Sequence, residues 1–353
     1  MTEPVVFPPD GVRDAPQTDG WPDGAMAVRP GKPADLEREA LAFLILASIR
    51  GVGHKTLCDL ADAGHRFAEV LDEAPADLLA RRAGAGRHAP GADWQAVLRK
   101  AQADALGMRD RLTQMGVRLL FRNDPRFPGA LLDLERPPHW LFIQGAMAPL
   151  AMPAVAIVGT RKPSEDGLFL ARYVGACLRD WHAATVSGLA AGIDQLAHES
   201  SLRANVPTIA VLGTGILDNY PKGSDVLRQR ILEAGGTIIS EYLPRASYSA
   251  ENFVQRNRLQ AALSRALIPV EWARRSGTAH TVRFASTLGR PLACLRLADW
   301  PSDRVVLEPG LGHGTGEIFT VPREQDAFDR FVRVALGLLV PTVTGQLSLF
   351  DEE

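Results

Sequence analysis

The chain has 353 residues, 46% of them hydrophobic and 23% charged, with a formal net charge of −2. That length suggests two domains plus tails and a core that needs no staples. The near-neutral balance excludes a globally basic nucleic-acid binder, so any such site must be a local patch. The three cysteines, Cys58, Cys177 and Cys294, contain no C-x-x-C pair, which argues against a zinc site and a disulfide framework. No apolar run reaches bilayer length, and the start lacks the basic and apolar regions of a secretory signal. A cytoplasmic location without membrane association is expected.

Residues 1–34 are rich in Pro, Gly and Asp without a hydrophobic period and read as a flexible leader. Residues 35–115 read as a small all-helical domain. One helix starts at Asp35 and carries Leu41, Phe43, Leu44, Leu46 and Ala47. After the turn Gly51-Val52-Gly53, further helices are expected over Leu57–Ala63, near Pro75–Arg82 and over Asp93–Met115, with a Gly/Ala/Arg-rich loop over Arg81–Gly91. Short strands follow at Val117–Phe121 and Trp140–Ile143.

From Val155 the texture changes. Strands at Val155–Val158, Thr185–Val186, Thr208–Leu212, Thr237–Ser240, Ala266–Val270 and Pro291–Leu295 alternate with helices. The helices are Gly167–Arg179, Gly192–Arg203, Ser224–Glu233, Arg256–Ser264 and Thr278–Leu288. Short apolar strands alternating with helices predict an α/β fold with a doubly wound, mostly parallel sheet over residues 116–340. After Ala298 a loop-rich insert precedes an amphipathic helix, Asp326–Leu339. Residues 341–353 form a polar, acidic tail.

In such a sheet ligands sit at the carboxyl ends of the strands, so the residues after each strand carry the functional reading. The first strand ends in Gly159-Thr160-Arg161-Lys162-Pro163-Ser164: a tight turn, two cations and a helix N-terminus whose free N–H groups suit an anion. It is not a G-x-G-x-x-G fingerprint. The second ends in Ser187-Gly188-Leu189-Ala190-Ala191-Gly192, where two glycines permit close backbone approach. Asp194 reads as a loop brace and His198 as a packed helix residue. The third carries Gly213-Thr214-Gly215 and then Tyr220, which can stack on a base or wedge the loop. The fourth leads through Glu241 to Phe253 and to Arg256-Asn257-Arg258, read as a phosphate-and-base site at a helix start. The fifth leads to Arg274-Arg275-Ser276-Gly277, a second anion-ready loop. From Arg245 to Arg290 there are eight arginines against two glutamates, a local electropositive excess.

These strand ends, taken in order, resemble the DNA-processing protein A (DprA/Smf) family. The resemblance runs through Gly159-Thr160-Arg161, Ser187 to Asp194, Ala210 to Gly215, Tyr220-Pro221, Ser240-Glu241-Tyr242, Phe253, Arg256-Asn257-Arg258 and Ser276-Gly277, roughly 140 residues. It implies a Rossmann-like domain that binds single-stranded DNA without sequence preference or catalysis. It also implies a homodimer, a RecA-type recombinase as partner, and Arg161, Arg256, Asn257 and Arg258 as DNA contacts. The Gly51-Val52-Gly53 turn is similar to the helix-hairpin-helix turn of the family's small SAM-like helical domain. The sequence departs from the pattern at Ala191, where members often carry a cation, and at Val254, where they often carry Pro. It also departs at Thr278-Ala279-His280-Thr281-Val282. The family's Gly-x-Asn segment and the C-terminal winged helix of many members are absent, as in a divergent paralogue. Such paralogues also serve defence or toxin–antitoxin modules, which would supply a cognate toxin as partner.

Gln346-Leu347-Ser348-Leu349-Phe350 resembles the peptides that bind the polymerase sliding clamp. Two other readings stand beside DNA binding. One is a nucleotide-binding or LOG-like phosphoribohydrolase, which Gly277-Thr278 resembles, although Thr281 occupies the acidic position of that motif, so that acid help at the glycosidic bond would fall to Glu241 or Glu271. The other is a protein-binding antitoxin that has lost strong DNA binding. No cofactor fingerprint and no metal cluster is present.

Overall fold

The structure, a computed structural model, describes residues 33–73, 94–300 and 316–340. Four helices come first: α1 (Pro33–Ser48), α2 (His54–Asp62), α3 (Phe67–Glu73) and α4 (Trp94–Gln114). Two strands follow, β1 (Val117–Phe121) and β2 (Trp140–Gly145). The alternating part comprises β3 (Ala154–Gly159), α5 (Glu165–Trp181), β4 (Ala184–Ser187), α6 (Ile193–Ala204), β5 (Thr208–Val211), α7 (Asp225–Glu233) and β6 (Thr237–Ser240). It continues through α8 (Ala250–Leu263), β7 (Ala266–Val270), α9 (Gly277–Thr287), β8 (Leu292–Leu297), β9 (Gly316–Val321) and α10 (Gln325–Leu336).

The strands form one sheet in the order β1-β2-β6-β5-β4-β3-β7-β8-β9. All neighbours pair in parallel except those of β2, which runs against both β1 and β6. The sheet is therefore mostly parallel, as expected. Its central strands are short and buried on both faces, which is what helices on either side demand. Alternation along β3 shows the two layers. Val155 and Ile157 pack with α5, α6 and α10 through Leu170, Val174, Trp181 and Phe328. Ala156 and Val158 pack with α8 and α9 through Leu259, Leu263 and Val282. The chain moves outward from β3 through β4, β5 and β6, then returns to pair β7 on the other side of β3. That reversal opens a crevice above the carboxyl end of β3, the usual place for a ligand.

The first helices do not stand apart from the sheet. Phe43 of α1 is 0% exposed, and its ring lies 4.7 Å from Trp140, 5.9 Å from Phe121 and 6.2 Å from Phe142. The Glu39 carboxylate accepts the amides of Phe67 (2.6 Å) and Ala68 (3.1 Å), fixing the start of α3 against α1.

Several expectations need correction. Helix α8 starts at Ala250, where the Ser249 side chain caps it by accepting the Asn252 amide. Arg256 is therefore in mid-helix rather than at its start. A Ser followed by a short acidic turn is the cap signal, and it was available in Ser249-Ala250-Glu251. Helix α3 and strand β9 were not anticipated. β9 pairs with β8 over Leu292–Leu297, and six residues inside a loop-rich stretch carried too little pattern to reveal it. The expected leader, the helix near Pro75–Arg82, the loop Arg81–Gly91 and the tail segment Gln346–Phe350 lie outside the described residues.

Truncating Phe43 to Ala should cost about 3–5 kcal/mol, because one ring seals α1 against α3, β1 and β2. Chemical denaturation would show it. A loss confined to the helices, with the sheet's unfolding unchanged, would mean that the two parts are not one cooperative unit.

Candidate nucleic-acid interface

A cavity of about 630 Å³ lies over the carboxyl end of β3. Its walls come from the loops after β3, β4, β5, β6 and β7, and from α6, α8 and α9. Glycines bring these loops close. A side chain at Gly159 would meet the Val270 carbonyl and the Ile193 side chain. At Gly188 it would strike the Arg256 guanidinium, and at Gly213 the Phe253 ring, 2.6 Å away. Gly192 has φ +84° and packs its α-carbon on the Thr160–Arg161 backbone.

Arg256 is 3% exposed. Its Nη1 donates to the carbonyls of Gly188 (2.8 Å) and Val211, and its Nε donates to Asn257 Oδ1 (3.0 Å). Its Nη2 lies 3.9 Å from the buried Asp194 carboxylate, which accepts the Gly188 amide at 3.1 Å. The guanidinium thus ties the ends of β4 and β5 to α8. Asn257 in turn donates to the Gly277 carbonyl, 3.1 Å away, fixing the start of α9. Burial pushes the Asp194 carboxyl up from the ordinary range, against the opposing pull of Arg256 and of the loop amides.

The cavity has an aromatic wall. Phe253 lies 5.1 Å from Tyr220, which stacks on Tyr248 at 4.6 Å and 28°. Tyr248 is 59% exposed. The Arg161 guanidinium sits 5.2 Å from the Phe253 centroid and that of Arg256 5.5 Å. Arg161 and Lys162 are exposed, and among the described residues no carboxylate pairs with either.

The helix termini divide differently from expectation. The N-terminus of α5 is already occupied: the Glu271 carboxylate accepts both the Ser164 amide (2.8 Å) and the Ser164 hydroxyl, while Ser164 Oγ accepts the Gly167 amide. The Glu271 carboxylate held there opposes a second anion. The first amide of α6 is held by the Thr160 carbonyl at 3.2 Å. At α9 no side chain caps the helix, because the Ser276 hydroxyl donates to the Ala273 carbonyl instead. The Gly277 and Thr278 amides have no intrahelical acceptor and line the cavity. The anion-ready terminus is therefore that of α9.

Of the residues singled out in the sequence, Gly159, Thr160, Arg161, Lys162, Phe253, Arg256, Asn257, Ser276 and Gly277 line the cavity together. Ser187, Gly188, Gly192 and Gly213 support it from behind. The Ser187 hydroxyl donates to the Ile157 carbonyl at 2.6 Å. Gly215 packs on the Leu243–Pro244 backbone, away from the opening. Arg274 and Arg275 are exposed on the loop before α9 without lining the cavity. Arg258 faces elsewhere and pairs with Glu241. His198 is a packed residue as read: its Nδ1 is 2.7 Å from Thr208 Oγ1, and burial pushes its pKa down to about 3. Tyr248 and Gln260 line the cavity without having been singled out. An aromatic in a Ser-rich loop with no apolar period was the available signal for Tyr248.

Replacing Arg256 with Ala should destabilise the fold by about 3–5 kcal/mol at neutral pH, because Asp194 becomes an unpaired buried carboxylate. Burial raises the folded-state pKa of Asp194, so the folded chain holds that proton more tightly than the unfolded one. Stability then falls as pH rises from about 4, the ordinary carboxylate value, and the variant's deficit should shrink on acidification. Asp194→Asn in the same background should recover part of the loss in thermal melts. No recovery would mean that the carbonyl contacts, and not the charge pair, dominate.

Residues 118–303 match the family described as DNA recombination-mediator protein A. Protein Smf of Synechocystis is 38% identical over 186 residues, 52% of this chain and 46% of that protein. DNA processing protein DprA of Streptococcus pneumoniae is 36% identical over 167 residues, 47% of this chain and 58% of that protein. The chain spans about half the length of the curated relatives it matches. Among solved structures, DprA of Streptococcus pneumoniae superposes with a TM-score of 0.54 at 25% identity, covering 83% of this chain and 96% of that one. DprA of Helicobacter pylori, described for a unique single-stranded DNA binding mode, superposes with a TM-score of 0.53 at 28% identity, covering 63% and 98%. With a match that begins in β1 and runs past β8 through every loop of the cavity, the chain belongs to the DNA recombination-mediator protein A family.

Proposed function

We propose that the cavity over β3 binds single-stranded DNA, and that the protein acts in DNA processing or recombination without catalysing a reaction. The observation that carries the reading is one cavity wall holding three aromatics in contact, Tyr248 stacked on Tyr220 and Phe253 tilted against it, with Arg161 over Phe253, and an uncapped helix N-terminus in the same cavity. Aromatic faces accept any unpaired base. A helix N-terminus beside two free cations accepts a phosphate. A duplex hides its base faces and cannot use the wall. The Helicobacter pylori relative, matched over almost its whole length, binds single-stranded DNA and supports the same assignment.

The hydrolase alternative finds less support. The carboxylate that lines the cavity, Asp194, is turned to a loop amide and Arg256, and Thr281 occupies the position where an acid is needed. Asp194 braces the loop and is not offered to a glycosidic bond.

Fluorescence anisotropy with labelled single-stranded and duplex oligonucleotides tests the reading. Single strands should bind more tightly, with an affinity that falls with salt. Arg161→Ala should weaken binding uniformly across sequences and lower the salt slope by about one contact. Tyr220→Ala should cost about 1–3 kcal/mol with the salt slope unchanged. Absence of binding at low salt would overturn the assignment.

A further inference from the structure

Arg256 and Arg258 stand two residues apart on α8, about 200° around its axis. Arg256 therefore serves the cavity over β3, while Arg258 reaches a second cavity of about 600 Å³ between the first helices and the sheet. That second cavity is bounded by His54 of α2, Arg122, Arg136, Trp140, Glu241 and Arg258.

Four polar atoms in its walls are buried and without a hydrogen-bond partner: Trp140 Nε1, Arg258 Nη1, Glu241 Oε1 and His54 Nδ1. Trp140 is 1% exposed and Glu241 5%. A buried polar group without a partner costs about 1–3 kcal/mol, and four of the nine such atoms among the described residues belong to residues of this one cavity, which calls for an explanation. The wall is built for hydrogen bonds that the protein does not complete.

The chemistry of the wall narrows the ligand. Burial pushes His54 down to about 4 and lowers His139 too, so both imidazoles are neutral near pH 7 and offer flat faces. The Cys58 thiol, 3.6 Å from His54 Nε2, is pushed up to about 12 and is no nucleophile. Among the described residues no cluster suits a metal ion. What remains is a cavity walled by the Trp140 and His139 rings, with two donors, Trp140 and Arg258, and one acceptor, Glu241. Two exposed arginines, Arg122 and Arg136, line it with two carboxylates, Asp62 and Glu135; Arg122 is braced on His139 Nδ1 at 3.1 Å, and His139 Nε2 donates to Asp62 at 2.8 Å. A planar heterocycle whose edge sets donors beside acceptors, carrying an anion on a short arm, fits that set.

We propose that this cavity is a second binding site, for a nucleobase carrying a phosphate. Trp140, Glu241 and Arg258 meet the base edge, and Arg122 and Arg136 meet the phosphate. The half-buried His54 ring, whose described polar contact is the long one to Cys58, turns on entry and uncovers the wall atoms. The occupant is a free mononucleotide or one nucleotide of a strand.

Calorimetric titration of the full chain with each of the four deoxynucleoside 5′-monophosphates tests this. It is done in an Arg161→Ala, Tyr220→Ala background, which weakens the cavity over β3 at both its cation and its aromatic wall. At least one should bind, and Arg122→Ala with Arg136→Ala should weaken it tenfold or more; both residues are exposed, so folding is not at stake. Inorganic phosphate should bind far more weakly. Displacement of the nucleotide by an unlabelled single strand would identify a strand as the source, and its absence a free nucleotide. The site is refuted if none of the four binds, if inorganic phosphate binds as tightly, or if the Arg122 and Arg136 substitutions change nothing. Oligonucleotide binding to the otherwise unaltered chain reports on the cavity over β3 separately, so failure of either assignment leaves the other standing.

Discussion

A guanidinium taken out of water must have its N–H groups met, and the carboxyl edge of this sheet is organised around meeting them for Arg256. Two of its acceptors are main-chain carbonyls at the ends of β4 and β5. A third is the neighbouring Asn257 amide oxygen, and the Asp194 carboxylate supplies opposite charge. The requirement for glycine follows directly. A side chain at Gly188 would occupy the space of the guanidinium, and no lysine could replace the fork, since it presents a single ammonium where three directions are needed.

This arrangement reverses the simplest reading of a basic stretch. Arginine residues in a nucleic-acid protein invite assignment as phosphate contacts, yet of the two on α8 neither is a free cation over β3, one holding loops and the other paired with Glu241. The cations left for the cavity over β3 are those on its loop, Arg161 and Lys162, where extension into solvent costs little desolvation. A net charge of −2 is then no obstacle. Attraction is local and short in range at physiological salt, and the neutral aromatic wall contributes binding that salt does not screen.

How much of this was legible in the sequence depended on what each residue's role needed from afar. The parallel strands were plain because a strand buried on both faces reads as an apolar run, Ala154–Gly159 being one. The glycine loops were plain because their position after each strand follows from topology. The occupied N-terminus of α5 was not, since its blocking carboxylate, Glu271, lies 107 positions from Ser164 and meets it only because β7 pairs with β3. The uncapped start of α9 was equally hidden: Ser276 looks like a cap, but its hydroxyl turns back to Ala273. Arg258 looked equivalent to Arg256 because a triplet in sequence gives no hint of helical phase until the helix start is placed, and the cap at Ser249 places it six residues earlier than Arg256.

That phase has a consequence for the whole molecule. Because α8 carries Arg256 toward one cavity and Arg258 toward the other, any rotation or axial shift of the helix must disturb both sets of bonds together. The helix is held at its start by Ser249 and by the Tyr242 hydroxyl, which donates to the Asn252 carbonyl at 2.9 Å. The Tyr242 ring in turn lies 5.4 Å from His54. Energetic coupling between two sites requires an element that both contact and that resists independent movement. In this fold α8 is the element that reaches both cavities, through Arg256 on one side and Arg258 on the other.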